Sequence, residues 1–321
     1  MEKYLITGFS GFVAKHFLDY LDSLNVPVLV LGIDINAPSF DINEFKNIKC
    51  TYAEINLLDV NSLSSELAGF SPDYILHLAS FSSVAFSWEQ PVHSIINNLN
   101  IFLNLVDQVR LLKLKCRILS VGSSEEYGKV APDSVPLKEH MQVNPVSPYA
   151  VARVSQELLS KIYSNAYKLD IIITRSFNHI GPGQSDKFVV SSFAKKLLEA
   201  KNEAKRTISV GNVDIIRDFV DVRDVVRAYY LLLKKGIPGE IYNICSGKGY
   251  SLREIIHKLS FLLSMEISLQ VDDKLVRPAD NEIIIGSYKK INDLLAWSPS
   301  ISIDESLQDI IKFWEGKLSD K

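Results

Sequence analysis

Lys3-Tyr-Leu-Ile-Thr7, followed by Gly8-Phe9-Ser10-Gly11-Phe12-Val13-Ala14, is the stretch that decides the fold. Its first half is a short apolar and β-branched run, which reads as a strand, and the amphipathic segment continuing to Leu24 reads as a helix. Between them, Gly8 permits a tight turn, and Gly11 lets the backbone approach a pyrophosphate at the helix N-terminus. Ala14 is small enough for close helix–strand packing. This glycine spacing alone is weak evidence for a nucleotide. Strand, glycine turn and helix in that order give it meaning.

The next strand, residues 26–33, runs into Asp34. An acidic residue about 20 positions beyond the glycines can accept hydrogen bonds from an adenosine ribose 2′-hydroxyl and repels a 2′-phosphate. No arginine follows closely, so NAD is expected rather than NADP; the plain alternative is a solvated strand end. Strands are expected at 48–53, 74–79, 117–121 and 170–176, with helices from near Asn61, over 91–112 and over 147–168. Asn97, Asn98 and Asn100 lower the propensity of the long helix, so at least one is expected to make a structural bond. This βαβ repetition predicts the α/β class, a doubly wound parallel sheet of the Rossmann type with ligands at the carboxyl ends of the strands.

In the second half, helices are expected at 187–201, 222–233, 251–263 and 304–314, and strands at 207–210, 240–244 and 267–270. The expected division is a cofactor domain over 1–178, with 215–245 returning to it. A smaller α/β substrate-binding lobe takes 179–214 and 246–321.

With 321 residues, 47% of them hydrophobic, the chain can bury a large core. Thirty-five basic against 38 acidic residues give a net charge of −3, which argues against a nucleic-acid or membrane-surface partner. The three cysteines lie far apart without CxxC spacing and read as buried small apolar residues; no metal site is expected. No apolar run approaches the roughly 18 residues of a membrane span. The first strand begins by Tyr4, which leaves no room for a signal peptide, so a cytoplasmic protein is expected.

Pro145-Val-Ser-Pro-Tyr149-Ala-Val-Ala-Arg153 is where the chemistry is expected. Ser147 suits an N-cap and Pro148 a first turn, so Tyr149 and Arg153 share one helix face. A phenol beside a fixed cation can have its pKa drawn toward working pH and can exchange a proton with a substrate hydroxyl while a cofactor moves hydride. An isolated pair of this spacing is more often an ordinary surface contact. At strand ends, Ser123 and Ser124 can bond a reacting oxygen and Glu125 can serve as acid or base, or the three form a turn cluster. Ser80-Phe-Ser-Ser83 can lie beside a cofactor or be a plain polar loop.

Over essentially its whole length the sequence resembles the extended short-chain dehydrogenase/reductases acting on nucleotide-diphosphate sugars. The resemblance rests on Gly8 and Gly11, His77-Leu-Ala-Ser80, Ser123-Ser-Glu-Glu-Tyr127 and Ser147-Pro-Tyr149, together with Phe177-Asn-His-Ile-Gly-Pro-Gly183 and Arg217-Asp-Phe-Val-Asp-Val-Arg-Asp224. The runs 123–128 and 177–184 are most similar to GDP-6-deoxy-4-keto-mannose reductases and related GDP-mannose and GDP-heptose enzymes.

The resemblance implies Tyr149 as acid/base at the sugar C4 oxygen, with Ser123 bonding the same oxygen. It implies cofactor contacts at Gly8, Phe9, Ser10, Gly11, Phe12, Val13, Asp34, Asn56, Leu57, Leu78, Ala79, Ser80, Tyr149 and Arg153. Sugar-nucleotide contacts are implied at Ser82, Ser124, Asn178, Val189, Asn212, Arg217 and Arg277. Arginine forks suit a diphosphate, although Arg217 beside Asp218 or Asp221, and Arg277 beside Asp280, also suit salt bridges.

One position departs from the family: its YxxxK pattern is YxxxR here, with Arg153. Arginine keeps the charge but places its donors differently. It is expected still to hold the nicotinamide ribose, with tighter cofactor retention or altered turnover. The expected activity is NAD-dependent oxidoreduction at C4 of a GDP-sugar, with Asp34 leaning toward oxidation. The alternatives are a GDP-sugar 4,6-dehydratase using Glu125 as a further acid/base, and a cofactor-bound protein without turnover. A homodimer through helices 91–112 and 147–168 is expected from the family.

Overall fold

The computed structural model describes residues 1–272, 275 and 281–319. Its elements open with β1 (Glu2–Thr7), α1 (Phe12–Ser23), β2 (Val28–Asp34), β3 (Ile48–Glu54), α2 (Val60–Phe70) and β4 (Tyr74–His77). Then come α3 (Val84–Glu89), α4 (Pro91–Leu111), β5 (Arg117–Ser123), α5 (Pro148–Tyr167) and β6 (Asp170–Ser176). The later chain carries β7 (Asn178–Ile180), α6 (Val189–Asn202), β8 (Thr207–Val210), β9 (Ile216–Asp221), α7 (Val222–Lys235) and β10 (Ile241–Ile244). It closes with β11 (Gly249–Ser251), α8 (Leu252–Leu262), β12 (Ser268–Val271), β13 (Ile283–Ile284), α9 (Lys289–Leu295) and α10 (Ile303–Ser319).

Two compact units share these elements. The first takes 1–126, 142–176 and 226–242; the second takes 127–141, 177–225 and 243–321. The returning segment is thus narrower than 215–245, and a stretch of the earlier chain, 127–141, belongs to the second unit.

The first unit is built on a seven-stranded sheet in the order β10-β6-β5-β4-β1-β2-β3. β1 pairs in parallel with β2 on one side and β4 on the other, so the order reverses there, the place where sheets of this kind bind ligands at their carboxyl ends. Strands covered on both faces must be nearly all apolar. Accordingly Leu5, Ile75, Ile118, Ile171 and Ile173 join Phe102, Leu105 and Val109 of α4 in one buried cluster. Each such side chain contributes about 1.5–3 kcal/mol by leaving water.

Two glycines are dictated by close approach. Gly8 has φ +69°, and a Cβ there would lie 2.7 Å from the Ala79 nitrogen. Gly32 leaves room for the Phe9 ring, whose nearest atom would be 2.2 Å from an added Cβ. Phe9 is fully buried and stacks near Tyr52 at 6.0 Å, so the glycine turn is anchored in the sheet by its own side chain.

α5 begins as its sequence predicts: the Ser147 hydroxyl oxygen accepts from the Ala150 N–H at 3.1 Å, and Pro148 follows in the first turn. Asn98, one of the three asparagines singled out above, brackets Phe81, accepting from its N–H and donating to its carbonyl. Cys116 and Cys245 are buried as expected, whereas Cys50 on β3 is only partly so.

The second unit has its own core, with Phe193 and Leu197 of α6, Ile255 and Leu259 of α8, and Ile310 and Trp314 of α10 packed together. Its sheets are β11-β9-β13, with β7 alongside β9, and the pair β12-β8. Among the described residues no helix is long and apolar enough to cross a membrane.

Gly32→Ala is expected to lower stability by about 1–3 kcal/mol, because the Phe9 ring has no space to yield. Calorimetry checks this: the variant should melt several degrees below the parent, and an unchanged Tm contradicts the interlock.

Candidate active site

The first unit assembles its polar residues at the carboxyl ends of β4 and β5 and on the first turns of α5. Tyr149 and Arg153 are one turn apart, and Arg153 Nε donates to Tyr149 Oη at 3.1 Å. Arg153 Nη1 donates to the Val121 carbonyl at 3.0 Å and to Gln156 Oε1 at 2.7 Å, and Nη2 donates to Ser80 Oγ at 2.5 Å. Arg153 is only 5% exposed, and among the described residues no carboxylate pairs with it. A buried cation without an anion is costly, so this charge calls for an explanation.

Its field reaches His77, the last residue of β4, paired with Thr7 of β1 where the strand order reverses. Thr7 Oγ1 and His77 Nδ1 share a hydrogen bond of 2.8 Å, and burial, aided by the Arg153 charge, pushes the imidazole down to about 3.

At the end of β5, Ser123 Oγ accepts from the Glu125 N–H at 3.2 Å, and the Ser123 N–H donates to Glu126 Oε1 at 2.7 Å. Burial, and then the Glu157 carboxylate, raise the pKa of Glu126 well above the ordinary range. Glu157 is lowered against its own burial because Arg175 donates to both its oxygens and Lys161 adds a third contact. Glu126 thus holds the Ser123 backbone. Glu126, Glu157, Arg175 and Gln156 were not among the expected site residues. The available signals were that Glu126 lies within the quoted run 123–127 and that Gln156 lies three positions beyond Arg153 on the same helix.

The expected cofactor residues fall as follows. Gly11 is the N-cap of α1 and supplies no capping side chain, and no acidic residue occupies the first turn. The helix N–H groups there remain suited to an anion. Asp34 Oδ2 accepts from the Ser10 N–H and hydroxyl and Oδ1 from the Asn36 N–H, which leaves acceptor capacity for a ribose hydroxyl. Phe12 packs edge-on to His16, and Val13 is partly buried. The Leu78 N–H donates to the Thr7 carbonyl, and the Ala79 N–H donates to Thr7 Oγ1. Asn56 accepts from the Leu58 N–H, and Leu57 lies in the core. These groups fit a dinucleotide: a turn without room for a Cβ, an uncapped helix start and an acid at the second strand end.

Of the expected substrate residues in this unit, Ser124 is buried on a single 3-10 turn, Glu125 beside it is partly exposed, and Ser82 is exposed before α3. The second unit carries Asn178 on β7 and Arg217 on β9, with Val189 exposed at the start of α6 and Asn212 exposed in a turn. Arg217 Nη1 donates to the Ile216 and Asn281 carbonyls. The acids of its motif have structural partners. Asp218 accepts from Ser246, Gly247 and Gly286, and burial still pushes it up to about 6. Asp221 pairs with Arg223 and accepts from Ser306. Asp224 accepts from Ser300 and Ile301. Arg277 lies outside the described residues.

A strand-order reversal, a glycine turn and a Tyr–Arg pair define an extended short-chain dehydrogenase/reductase, and comparison with known proteins agrees. The chain belongs to the GDP-mannose 4,6 dehydratase family, which it matches over residues 5–310. It is 32% identical to the GDP-6-deoxy-D-mannose reductase of Pseudomonas aeruginosa, over 100% of this chain and 99% of that one. It is 26% identical to a GDP-mannose 4,6-dehydratase of Yersinia enterocolitica, over 97% and 93%. The solved structure of RMD from Pseudomonas aeruginosa, complexed with NADPH, superposes with a TM-score of 0.86 at 31% identity, over 99% and 100% of the two chains.

The buried imidazole has a consequence for acid stability. Folded His77 stays neutral down to about pH 3, while the unfolded side chain takes a proton near 6.5. Between those values the unfolded chain binds the extra proton, so stability falls as pH drops below about 6.5. His77→Gln is expected to flatten the Tm-against-pH curve in that window, and a parallel pair of curves contradicts the assignment.

Proposed function

We propose that this enzyme carries out nicotinamide-dependent oxidoreduction at C4 of a GDP-sugar of manno configuration, a hexose or heptose, with NAD(H) as its cofactor. The observation carrying this reading is the buried Arg153 guanidinium, which donates to the Tyr149 oxygen and has no carboxylate partner among the described residues. A structural arginine at that depth calls for an acid beside it. An arginine serving a phenol oxygen and a ligand does not.

When bound, the nicotinamide supplies or accepts the hydride. In oxidation Tyr149 Oη takes the proton of the C4 hydroxyl; in ketone reduction it returns one to the same oxygen. Arg153 Nε donates to Tyr149 Oη and so fixes where that oxygen stands. Ser123 Oγ holds the C4 oxygen. Gly8 to Val13 and the start of α1 receive the pyrophosphate, and Asp34 receives the adenosine ribose and disfavours a 2′-phosphate. Ser80 and Arg153 lie on the nicotinamide side. In the second unit, Asn178 and Arg217 are assigned to the sugar nucleotide's diphosphate, with Val189 and Asn212 as further contacts.

Similarity to a 4,6-dehydratase, together with Glu125 next to Ser123, supports a second reading in which Glu125 is the additional acid/base. Incubation with GDP-mannose, its 4-keto-6-deoxy derivative and a GDP-heptose, with NAD(H) and NADP(H) in parallel, separates the readings by product mass. Loss or gain of two hydrogens supports the first, loss of water the second, and no change in any arm the non-catalytic alternative.

Tyr149→Phe is expected to lower kcat by about 10²–10⁴-fold. Undiminished turnover in that variant rules out the tyrosine mechanism.

A homodimer through α4 and α5 is part of the proposal. The two helices pack side by side and leave Val92, Ile96 and Leu111 on one, and Val151, Leu158 and Ile162 on the other, exposed to solvent. Leu158→Glu combined with Ile162→Lys is expected to convert the dimer to monomers in analytical ultracentrifugation. A parent that sediments as a monomer refutes the dimer.

A further inference from the structure

Arg153 has more polar neighbours than Tyr149 alone requires, and one of them has no role in the function proposed above. A guanidinium carries five N–H groups in a rigid plane and no acceptor. Here Nε–H goes to Tyr149, both Nη1 hydrogens go to Val121 and Gln156, and one Nη2 hydrogen goes to Ser80. Four donors are satisfied within the protein, which leaves a single Nη2–H.

Of the neutral acceptors, Gln156 is the one whose own orientation is fixed from behind. It is 2% exposed, and its Nε2 donates to Ser120 Oγ at 2.9 Å and to the Val121 carbonyl at 3.2 Å. Ser160 completes the arrangement, with its Oγ 3.0 Å from Ser120 Oγ and donating to the Gln156 carbonyl. The amide cannot be turned round. Its nitrogen must face Val121, a carbonyl that only accepts, and its oxygen must face the guanidinium, which only donates. Gln156 therefore presents one acceptor at one place, three residues along the helix from Arg153.

We infer that Gln156 is a positioning residue for Arg153: its amide, pinned by Ser120 and Val121, sets the guanidinium plane so that Nε meets the Tyr149 hydroxyl and one terminal N–H remains for the cofactor. This rests on the cofactor reading above. A long side chain held by Val121 and Ser80 alone can tilt about the line joining them, and a third acceptor off that line stops the tilt. A lysine at 153 has one nitrogen and no plane to set, so the role of Gln156 is tied to arginine.

The test uses the full-length protein with NADH as probe, followed by NADH fluorescence, and the arginine Nε–H proton resonances, with that of Arg153 assigned by its loss in Arg153→Lys. Gln156→Met is expected to shift or broaden the Arg153 resonance and to weaken NADH binding about tenfold, and to have less than a twofold effect in the Arg153→Lys background, a coupling of the usual size for residues in contact. Ser120→Ala, which touches only the far side of the amide, is expected to move the resonance in the same direction and serves if Gln156→Met does not fold. The inference is overturned if the resonance stays in place in both variants, or if Gln156→Met weakens NADH equally in both backgrounds, which marks a merely structural role. A parent protein that binds neither NADH nor NADPH refutes the cofactor reading instead, while the resonance still reports whether Gln156 holds the guanidinium.

Discussion

The guanidinium of Arg153 fastens the carboxyl ends of two neighbouring strands to the helix that crosses them. β4 and β5 are paired in register from Tyr74 and Arg117 to His77 and Ser120, and just past that ladder the chains diverge. Ser80 follows one strand, Val121 lies in the other, and both are tied to α5 by the same planar group. A sheet places its strand ends only as well as the ladder persists, and here the ladder is extended by a side chain. The Tyr149 hydroxyl takes its position from the same contact, so the phenol oxygen and the scaffold share one fastener.

The second unit uses carboxylates for comparable work. The stretch from Arg217 to Asp224 contains three aspartates, each of which gathers backbone or side-chain donors from a separate part of the later chain. Their burial is tolerable because each carboxylate is met by several donors. Asp218 and Asp224 are thus loop organisers, and Asp221 joins the start of α7 to α10.

What was legible in the sequence was local. The glycine turn, the acid after β2, the serine cap of α5 and the Tyr149–Arg153 pair follow from turn chemistry and helical spacing, and each is found where expected. Short elements were not legible: α3, β7, β11, β13 and α9 are too brief for a periodic signal, and they exist because neighbours complete them. Phe9 shows what a motif does not disclose, since its ring lies in the core against Gly32 and Tyr52. Gln156 with Ser120, and Glu126 with Glu157 and Arg175, join residues far apart in the chain, and only the folded sheet reveals that they meet.

Neither unit is a continuous piece of chain, and this bears on how the protein is made. The sheet of the first unit lacks an edge until β10 has been synthesised, by which point much of the second unit's sequence has already left the ribosome. The core of the second waits for α10, whose Trp314 donates to Ser191 and fills the space against α6. Nascent chain therefore accumulates with apolar faces uncovered on α6 and α8. Each unit is thus complete only once a late element has emerged, β10 for the first and α10 for the second, and the interval before that is when apolar surface has most need of cover.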